Sequence, residues 1–302
     1  MSEKTVKYGA SANSYVEPAD NPRSRRVKHV SDLFSRKIRR EMKRFLAEGP
    51  QCVREAVKYC PGDILDIYYD ARLAETSETI GEIIATAKRK NIYVHPATGR
   101  VIKAMSTDCQ GIIAVVSFSA LKNAAKVSIS RDSLVAACWE IRDPGNAGTV
   151  VRTADATDCA AVVFVGNCVD FTSAKVVRST AGSLFHLPVI RLSEEEFFDW
   201  IGENDIKVFA ADVYGTAKNR PKMLTEIVSQ PDLTDSACAA LFGNEARGLP
   251  EETIDKCDMT LTVPIYGSAE SLNVAVSSAI TLYQLATVKH ENGRAAKRHE
   301  KT

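Results

Sequence analysis

Apolar and polar positions alternate along this chain with two different periods. Short apolar runs at residues 64–69, 92–94 and 112–118 predict strands. Between the first two, Ile80, Ile83, Ile84 and Ala87 recur at helical spacing. Upstream, Phe34, Ile38, Met42 and Phe45 or Leu46 recur every three or four residues. That stripe predicts one helix, capped at Ser31-Asp32 and ending near Glu48-Gly49-Pro50. A second short helix carries Val53, Ala56 and Val57, and a helical turn follows Gly99. Alternation of helix and strand over about 90 residues predicts a small α/β sandwich.

The second half alternates more strongly. Strands are expected at 134–141, 162–165, 187–190, 206–211, 238–242 and 259–263, with helices between them and a long last helix over 270–290. This pattern predicts an α/β fold with a mostly parallel sheet. Glu194-Glu195-Glu196 suits a solvated first helical turn. The expected organisation is a flexible basic arm (1–30), a first α/β domain (31–118), a polar linker (119–133), a second α/β domain (134–290) and a basic tail (291–302).

A length of 302 residues suits two domains, and 45% hydrophobic with 25% charged residues suits a soluble protein. No apolar run reaches membrane-spanning length, and the first residues carry no signal-like apolar core, so a cytoplasmic protein is expected. Eight scattered cysteines without a C-x-x-C pair suit reduced, buried thiols, and no metal site is expected.

Net charge is only +1, but it is unevenly spread. Arg23, Arg25, Arg26, Lys28, Arg36, Lys37, Arg39, Arg40, Lys43 and Arg44 face only Asp32 and Glu41 in the same stretch. The expected partner of this block is a nucleic-acid backbone. The cations of the predicted helix, at Arg36, Lys37, Arg39, Arg40, Lys43 and Arg44, form the expected RNA-binding face. The shorter basic tail (Lys289, Arg294, Lys297, Arg298, Lys301) reads as a frayed, solvated end.

Chemistry concentrates in three polar loops that follow predicted strands. In open parallel sheets, ligands bind beyond the carboxyl ends of the strands. The first loop is Asp143-Pro144-Gly145-Asn146-Ala147-Gly148, leading into a helix expected near Ala147 that carries Arg152. The second is Gly243-Asn244-Glu245-Ala246-Arg247-Gly248, where two glycines allow close backbone approach to a ligand. The third, Pro264-Ile265-Tyr266-Gly267, leads to Ser271-Leu272-Asn273 and the last helix. No G-x-G-x-x-G follows a strand and no G-x-x-x-x-G-K-[ST] is present, which argues against dinucleotide and P-loop sites. The five histidines suggest no Ser-His-Asp set, and His186 reads as a packed core residue.

In this order and spacing the loops resemble the three motifs of the SpoU/TrmH class of the SPOUT superfamily. The first motif is matched by Asp143-Pro144-x-Asn146-x-Gly148-x-x-Arg152-Thr153-Ala154. The second is matched by Gly243-Asn244-Glu245-x-x-Gly248-Leu249, and the third by Pro264-x-x-Gly267-x-x-x-Ser271-Leu272-Asn273-Val274-x-Val276-Ser277. Lys175-Val176-Val177-Arg178-Ser179-x-x-Gly182 matches a further common segment. The likeness spans about 134–290. More weakly, Phe45-Leu46-x-Glu48-Gly49 and Gln110-Gly111-Ile112 resemble the RNA-binding domain of the rRNA-modifying and thiostrepton-resistance branches, which is similar to kink-turn-binding ribosomal proteins. Asp108-Cys109 departs from the usual Thr-Pro of that domain.

The resemblance implies an S-adenosylmethionine-dependent RNA ribose 2'-O-methyltransferase with a deep trefoil knot in the C-terminal domain. It implies a homodimer through that domain, in which first-motif residues complete the partner's site. Leu241, Gly243, Asn244, Gly248, Ile265, Ser271, Leu272 and Asn273 would hold the cofactor. Arg152 would be catalytic, Asn146 and Glu245 would orient it or the ribose, Ser271 and Asn273 would meet the substrate, and Arg178 would touch RNA. Arginine is a poor proton acceptor, so Arg152 reads better as a cation stabilising a developing alkoxide. Large-subunit rRNA is the expected substrate, with tRNA, or a non-catalytic ribosome-assembly role, as the alternatives.

Overall fold

In a computed structural model, which describes residues 17–122, 127–230 and 236–299 (side chains to Glu291), the strands form two sheets among the described residues. Most of the arm, part of the linker (123–126) and the last three residues of the tail lie outside the described residues.

The N-terminal unit runs α1 (Arg25–Asp32), α2 (Arg36–Met42), β1 (Arg44–Glu48), α3 (Gly49–Tyr59), β2 (Ile64–Asp70), α4 (Ala71–Thr76), α5 (Glu78–Arg89), β3 (Val94–Ala97), α6 (Gly99–Met105) and β4 (Ile112–Ser117). Its sheet has the order β1-β4-β2-β3. Strand β4 is antiparallel to both β1 and β2, and β3 is parallel to β2.

The single helix expected from Ser31 onward is broken. Helix α1 begins inside the expected arm, where the Ser24 hydroxyl accepts from Val27 N at 3.3 Å, and it ends at Asp32. Helix α2 ends at Met42, and Lys43 turns the chain with φ 52° into β1. Phe45 and Leu46 are therefore strand neighbours, fully buried in two different core clusters because strand side chains alternate. Phe34 and Met42, which a continuous stripe would bury, are 47% and 38% exposed.

The break also overturns the expectation for Arg39. It does not face outward; it is 3% exposed. Its guanidinium donates to the carbonyls of Leu33 (2.9 Å) and Phe34 (2.7 Å), which the end of α1 leaves without helical partners. It also donates to Asp170 at 2.8 Å and to Thr172 at 3.4 Å, tying the N-terminal unit to a loop of the C-terminal one. Burial alone would raise the Asp170 pKa, but the hydrogen bonds from Arg39 and Thr172 outweigh it and hold the carboxyl below its ordinary value. A depressed carboxylate stabilises the fold above its unfolded pKa, and this share is lost as pH falls through the folded value. Removing one partner of such a pair strands the other, so Arg39→Ala is expected to cost about 3 kcal/mol in urea unfolding at neutral pH. A loss smaller than that of an ordinary surface substitution would show that the tie carries no docking.

The C-terminal unit runs β5 (Leu134–Trp139), α7 (Pro144–Ala156), β6 (Ala161–Val165), α8 (Ala174–Ser179), β7 (Val189–Leu192), α9 (Glu194–Glu203), β8 (Lys207–Ala211), β9 (Pro221–Met223), α10 (Leu224–Val228), β10 (Cys238–Phe242), α11 (Glu251–Ile254), β11 (Met259–Thr262) and α12 (Val274–His299). The sheet order is β7-β6-β5-β10-β8-β11-β9, and every pairing is parallel. Strands β6 and β10 are buried at every position, as continuous apolar runs under helices on both faces require. Strand β9 and helix α10 carry no clear sequence signal. Helix α12 runs through residues expected as tail, up to His299.

Further ties join the two units. Arg178 reaches the buried Glu48 carboxylate at 2.7 Å and Asp108 at 2.9 Å, and the Ser106 hydroxyl also bonds Glu48. Arg178 thus spends part of its guanidinium on ties between elements far apart in the chain while staying 30% exposed. His186 is not a packed core residue either: Nδ1 lies 2.7 Å from Asp155 and Nε2 3.4 Å from Glu55, one carboxylate from each unit. All eight cysteines are buried free thiols. Among the described residues no helix is long and apolar enough to cross a membrane, and no cluster of three metal-ligating side chains occurs.

Candidate active site

Strand order brings the three loops together. Strands β5, β10, β8 and β11 are successive neighbours, so the loops after them emerge side by side at the carboxyl edge of the sheet. They enclose a cleft of about 510 Å³, a size suited to a cofactor.

The first wall is the start of α7. Asp143 caps it, with Oδ1 accepting from Asn146 N at 2.8 Å, and Pro144 occupies a first-turn position where no N–H is needed. The helix thus begins three residues before Ala147. Gly148 lies where a Cβ would come 1.8 Å from Ser179 Oγ, so α7 and α8 meet at backbone distance.

The second wall is the turn after β10. Asn244 and Gly248 exchange backbone hydrogen bonds of 3.0 and 2.9 Å, which close a tight turn over residues 245–247. Asn244 Oδ1 accepts from Ala246 N and Arg247 N, while its amide donates to the Glu140 carbonyl at 2.7 Å. A Cβ on Gly243 would stand 2.5 Å from the Gly248 carbonyl carbon, so only glycine lets these strands of backbone touch.

A polar chain links all three walls. Glu245 Oε1 accepts from Asp143 N (3.1 Å) and from the Asn146 amide (3.2 Å), and Oε2 accepts from Arg142 N (3.2 Å). The Asn273 amide donates to Asn146 Oδ1 at 3.1 Å, while Asn273 Oδ1 caps α12 by accepting from Ala275 N at 2.9 Å. Partial burial pushes the Glu245 pKa up, but these backbone and side-chain donors outweigh it, and the net shift is downward. Glu245 is an ionised scaffold whose oxygens are already occupied.

Asn146, Gly243, Asn244, Glu245, Gly248, Ile265, Ser271, Leu272 and Asn273 all line the cleft, as expected. Leu241 does not: it is fully buried in β10, one residue below the lining. Arg152 does not line it either. Six residues beyond Asn146 on α7, about 9 Å along the axis, it is exposed and has no side-chain partner among the described residues. Two unexpected wall residues are Asp212 and Tyr214, from the loop after β8.

The sequence profile described as the SpoU rRNA Methylase family matches residues 133–283, which include every residue lining this cleft. The chain belongs to the SpoU rRNA methylase family. It is 32% identical over 89% of its length to the 23S rRNA (guanosine(2553)-2'-O)-methyltransferase RlmP of Bacillus subtilis, covering 99% of that protein. It is 28% identical over 87% of its length to the 23S rRNA (uridine(2479)-2'-O)-methyltransferase of Streptomyces viridochromogenes, covering 89% of it. Among solved structures, the SpoU methyltransferase AviRb from Streptomyces viridochromogenes in complex with AdoMet superposes with a TM-score of 0.74 at 25% identity, over 88% of this chain and 98% of that one. Membership in the SpoU family thus extends to relatives that share the N-terminal unit as well as the catalytic one.

Proposed function

We infer that this protein transfers a methyl group from S-adenosylmethionine to a ribose 2'-hydroxyl of large-subunit rRNA. The observation that carries the inference is the Glu245–Asn146–Asn273 chain, which joins the three motif loops around one cleft.

The cleft fits the cofactor. Apolar walls at Phe242, Leu261, Val263, Ile265 and Leu272 suit an adenine, and the glycine turn at Gly243 and Gly248 offers backbone polar groups at close range. Gly243, Asn244, Gly248, Ile265, Ser271, Leu272 and Asn273 would hold it. When bound, the cofactor supplies an electrophilic sulfonium methyl. The chain's own task is to align a weak nucleophile and to stabilise the charge that develops on it. Glu245 fixes Asn146, Asn146 and Asn273 hold each other, and Ser271 faces the cleft as a polar contact for substrate. Arg152 supplies the cation that stabilises the developing alkoxide and grips an adjacent phosphate.

Arg152 lies outside its own chain's cleft, which favours a homodimer in which it serves the partner's site. Helix α12 packs along α7 and leaves Val276, Ile280 and Tyr283 exposed at i, i+4 and i+7. That apolar stripe suits a helix face covered by a second copy.

The N-terminal unit is the RNA-binding part of this reading. Asp170, which anchors α2 through Arg39, follows β6, and Val169 N donates to the Ile141 carbonyl in the loop after β5. Helix α2 is therefore docked at the same sheet edge as the cleft. Lys37, Arg40, Lys43 and Arg44 are exposed and have no side-chain partners among the described residues, while Arg36 is half exposed. Reversing Lys37, Arg40, Lys43 and Arg44 to Glu is expected to weaken RNA binding about 10- to 100-fold and to flatten its salt dependence by two to four units of log–log slope. Unchanged affinity and slope would remove this basic stretch from the footprint. The function itself is tested by mapping ribose methylations in rRNA from cells with and without the gene; identical maps would overturn it.

A further inference from the structure

The loop after β8 is built more firmly than its exposed position requires. Asp212 Oδ1 accepts from Tyr214 N (2.8 Å) and Gly215 N (2.7 Å). Gly215 holds φ +60°, where a Cβ would meet the Asn219 carbonyl oxygen at 2.5 Å. The Asn219 amide donates to the carbonyls of Ile254 (3.1 Å) and Cys257 (3.0 Å), and Lys218 donates to the Asp255 carbonyl at 3.0 Å. All this fixes a loop whose most exposed large hydrophobic side chain is Tyr214, 78% exposed and lining the cleft. A phenol ring left in water gives the fold little. Across the cleft Arg247 also lines the opening, with no side-chain partner among the described residues.

We propose that Tyr214 is a stacking platform for the base of the nucleotide whose ribose is methylated, with Arg247 as a cation beside it. The proposal rests on the function inferred above. A ribose hydroxyl can reach the cleft in line only if its nucleotide leaves the RNA stack, which costs a few kcal/mol. An aromatic ring recovers about 1–3 kcal/mol per stacked base and accepts any base, so the platform positions without reading sequence. Because the loop is already rigid, little ordering cost opposes the contact. The adenine of the cofactor is a nucleobase too, and the test separates the two.

Tyr214→Ala and Tyr214→Phe are compared in the full chain by three measurements. These are calorimetric binding of S-adenosylhomocysteine, kcat/KM on unmethylated 23S rRNA, and quenching of 2-aminopurine in a short single-stranded oligoribonucleotide. For Tyr214→Ala the expected result is cofactor-product affinity unchanged within about twofold, a loss of roughly 5- to 150-fold in kcat/KM, and loss of quenching. Tyr214→Phe keeps the ring and is expected to keep all three. A loss of S-adenosylhomocysteine affinity with quenching intact would assign the ring to the adenine and overturn the proposal, as would no change in any measurement. An unaltered protein that quenches the probe but transfers no methyl would overturn the inferred reaction while supporting the platform.

Discussion

Arg152→Ala is expected to lower methyl transfer by about a thousandfold while S-adenosylhomocysteine binds as before. The size is that of removing one preorganised charge from a developing oxyanion. Unchanged cofactor binding is expected because Arg152 does not line the cleft. Full activity in the variant would remove Arg152 from the chemistry. The same variant also tests the dimer. Mixed with an Asn273→Ala chain, it forms hybrids in which one of the two sites has both an intact cleft and an intact Arg152, so about a quarter of all sites recover. If subunits exchange and no activity returns, Arg152 serves its own chain.

Gly243→Ala is expected to lower cofactor affinity about tenfold or more and to leave the chain folded. The added methyl would stand 2.5 Å from the Gly248 carbonyl carbon and 2.8 Å from Leu249 N, both backbone atoms that cannot swing aside. Overpacking of this kind costs about 1–3 kcal/mol. Here the strain falls on the Asn244–Gly248 turn, and the sheet beneath is untouched. Calorimetry with S-adenosylhomocysteine measures the effect, and affinity within twofold of the unaltered chain would show that the turn does not cradle the cofactor.

The polar centre of the cleft is legible in the sequence because each of its residues stands next to a local signal. Asn146, Glu245 and Asn273 each follow a buried apolar run and a turn, and such runs announce both the strand and the loop that leaves it. Asp212 and Tyr214 also follow an expected strand (206–211), but no motif marks the loop they belong to. They reach the cleft because β8 pairs between β10 and β11, and strand order is a nonlocal property that no period of side chains encodes. Arg39 fails for the opposite reason. Spacing of three or four residues persists from Phe34, just past α1, through α2 to Phe45 in β1, so the stripe suggests one helix where the chain builds a helix and a strand, and the guanidinium placed on the outer face is turned back toward the end of α1. The pairing of Arg178 with Glu48 is equally hidden, because the carboxylate stands 130 residues away in sequence.

The order of strands also sets when the catalytic unit can exist during synthesis. Strands β5, β6 and β7 pair among themselves, but β5 meets β8 only through β10, the third strand to leave the ribosome after β7 if β9 is counted. Until residues 238–242 emerge, the two halves of the sheet have no common edge. At translation rates of about 5–20 residues per second, this gap after β8 lasts on the order of seconds. The N-terminal sheet draws all of its strand pairings from residues 44–117. A nascent chain stalled between β8 and β10 would therefore carry the exposed cations of residues 36–44, open sheet edges and no cleft.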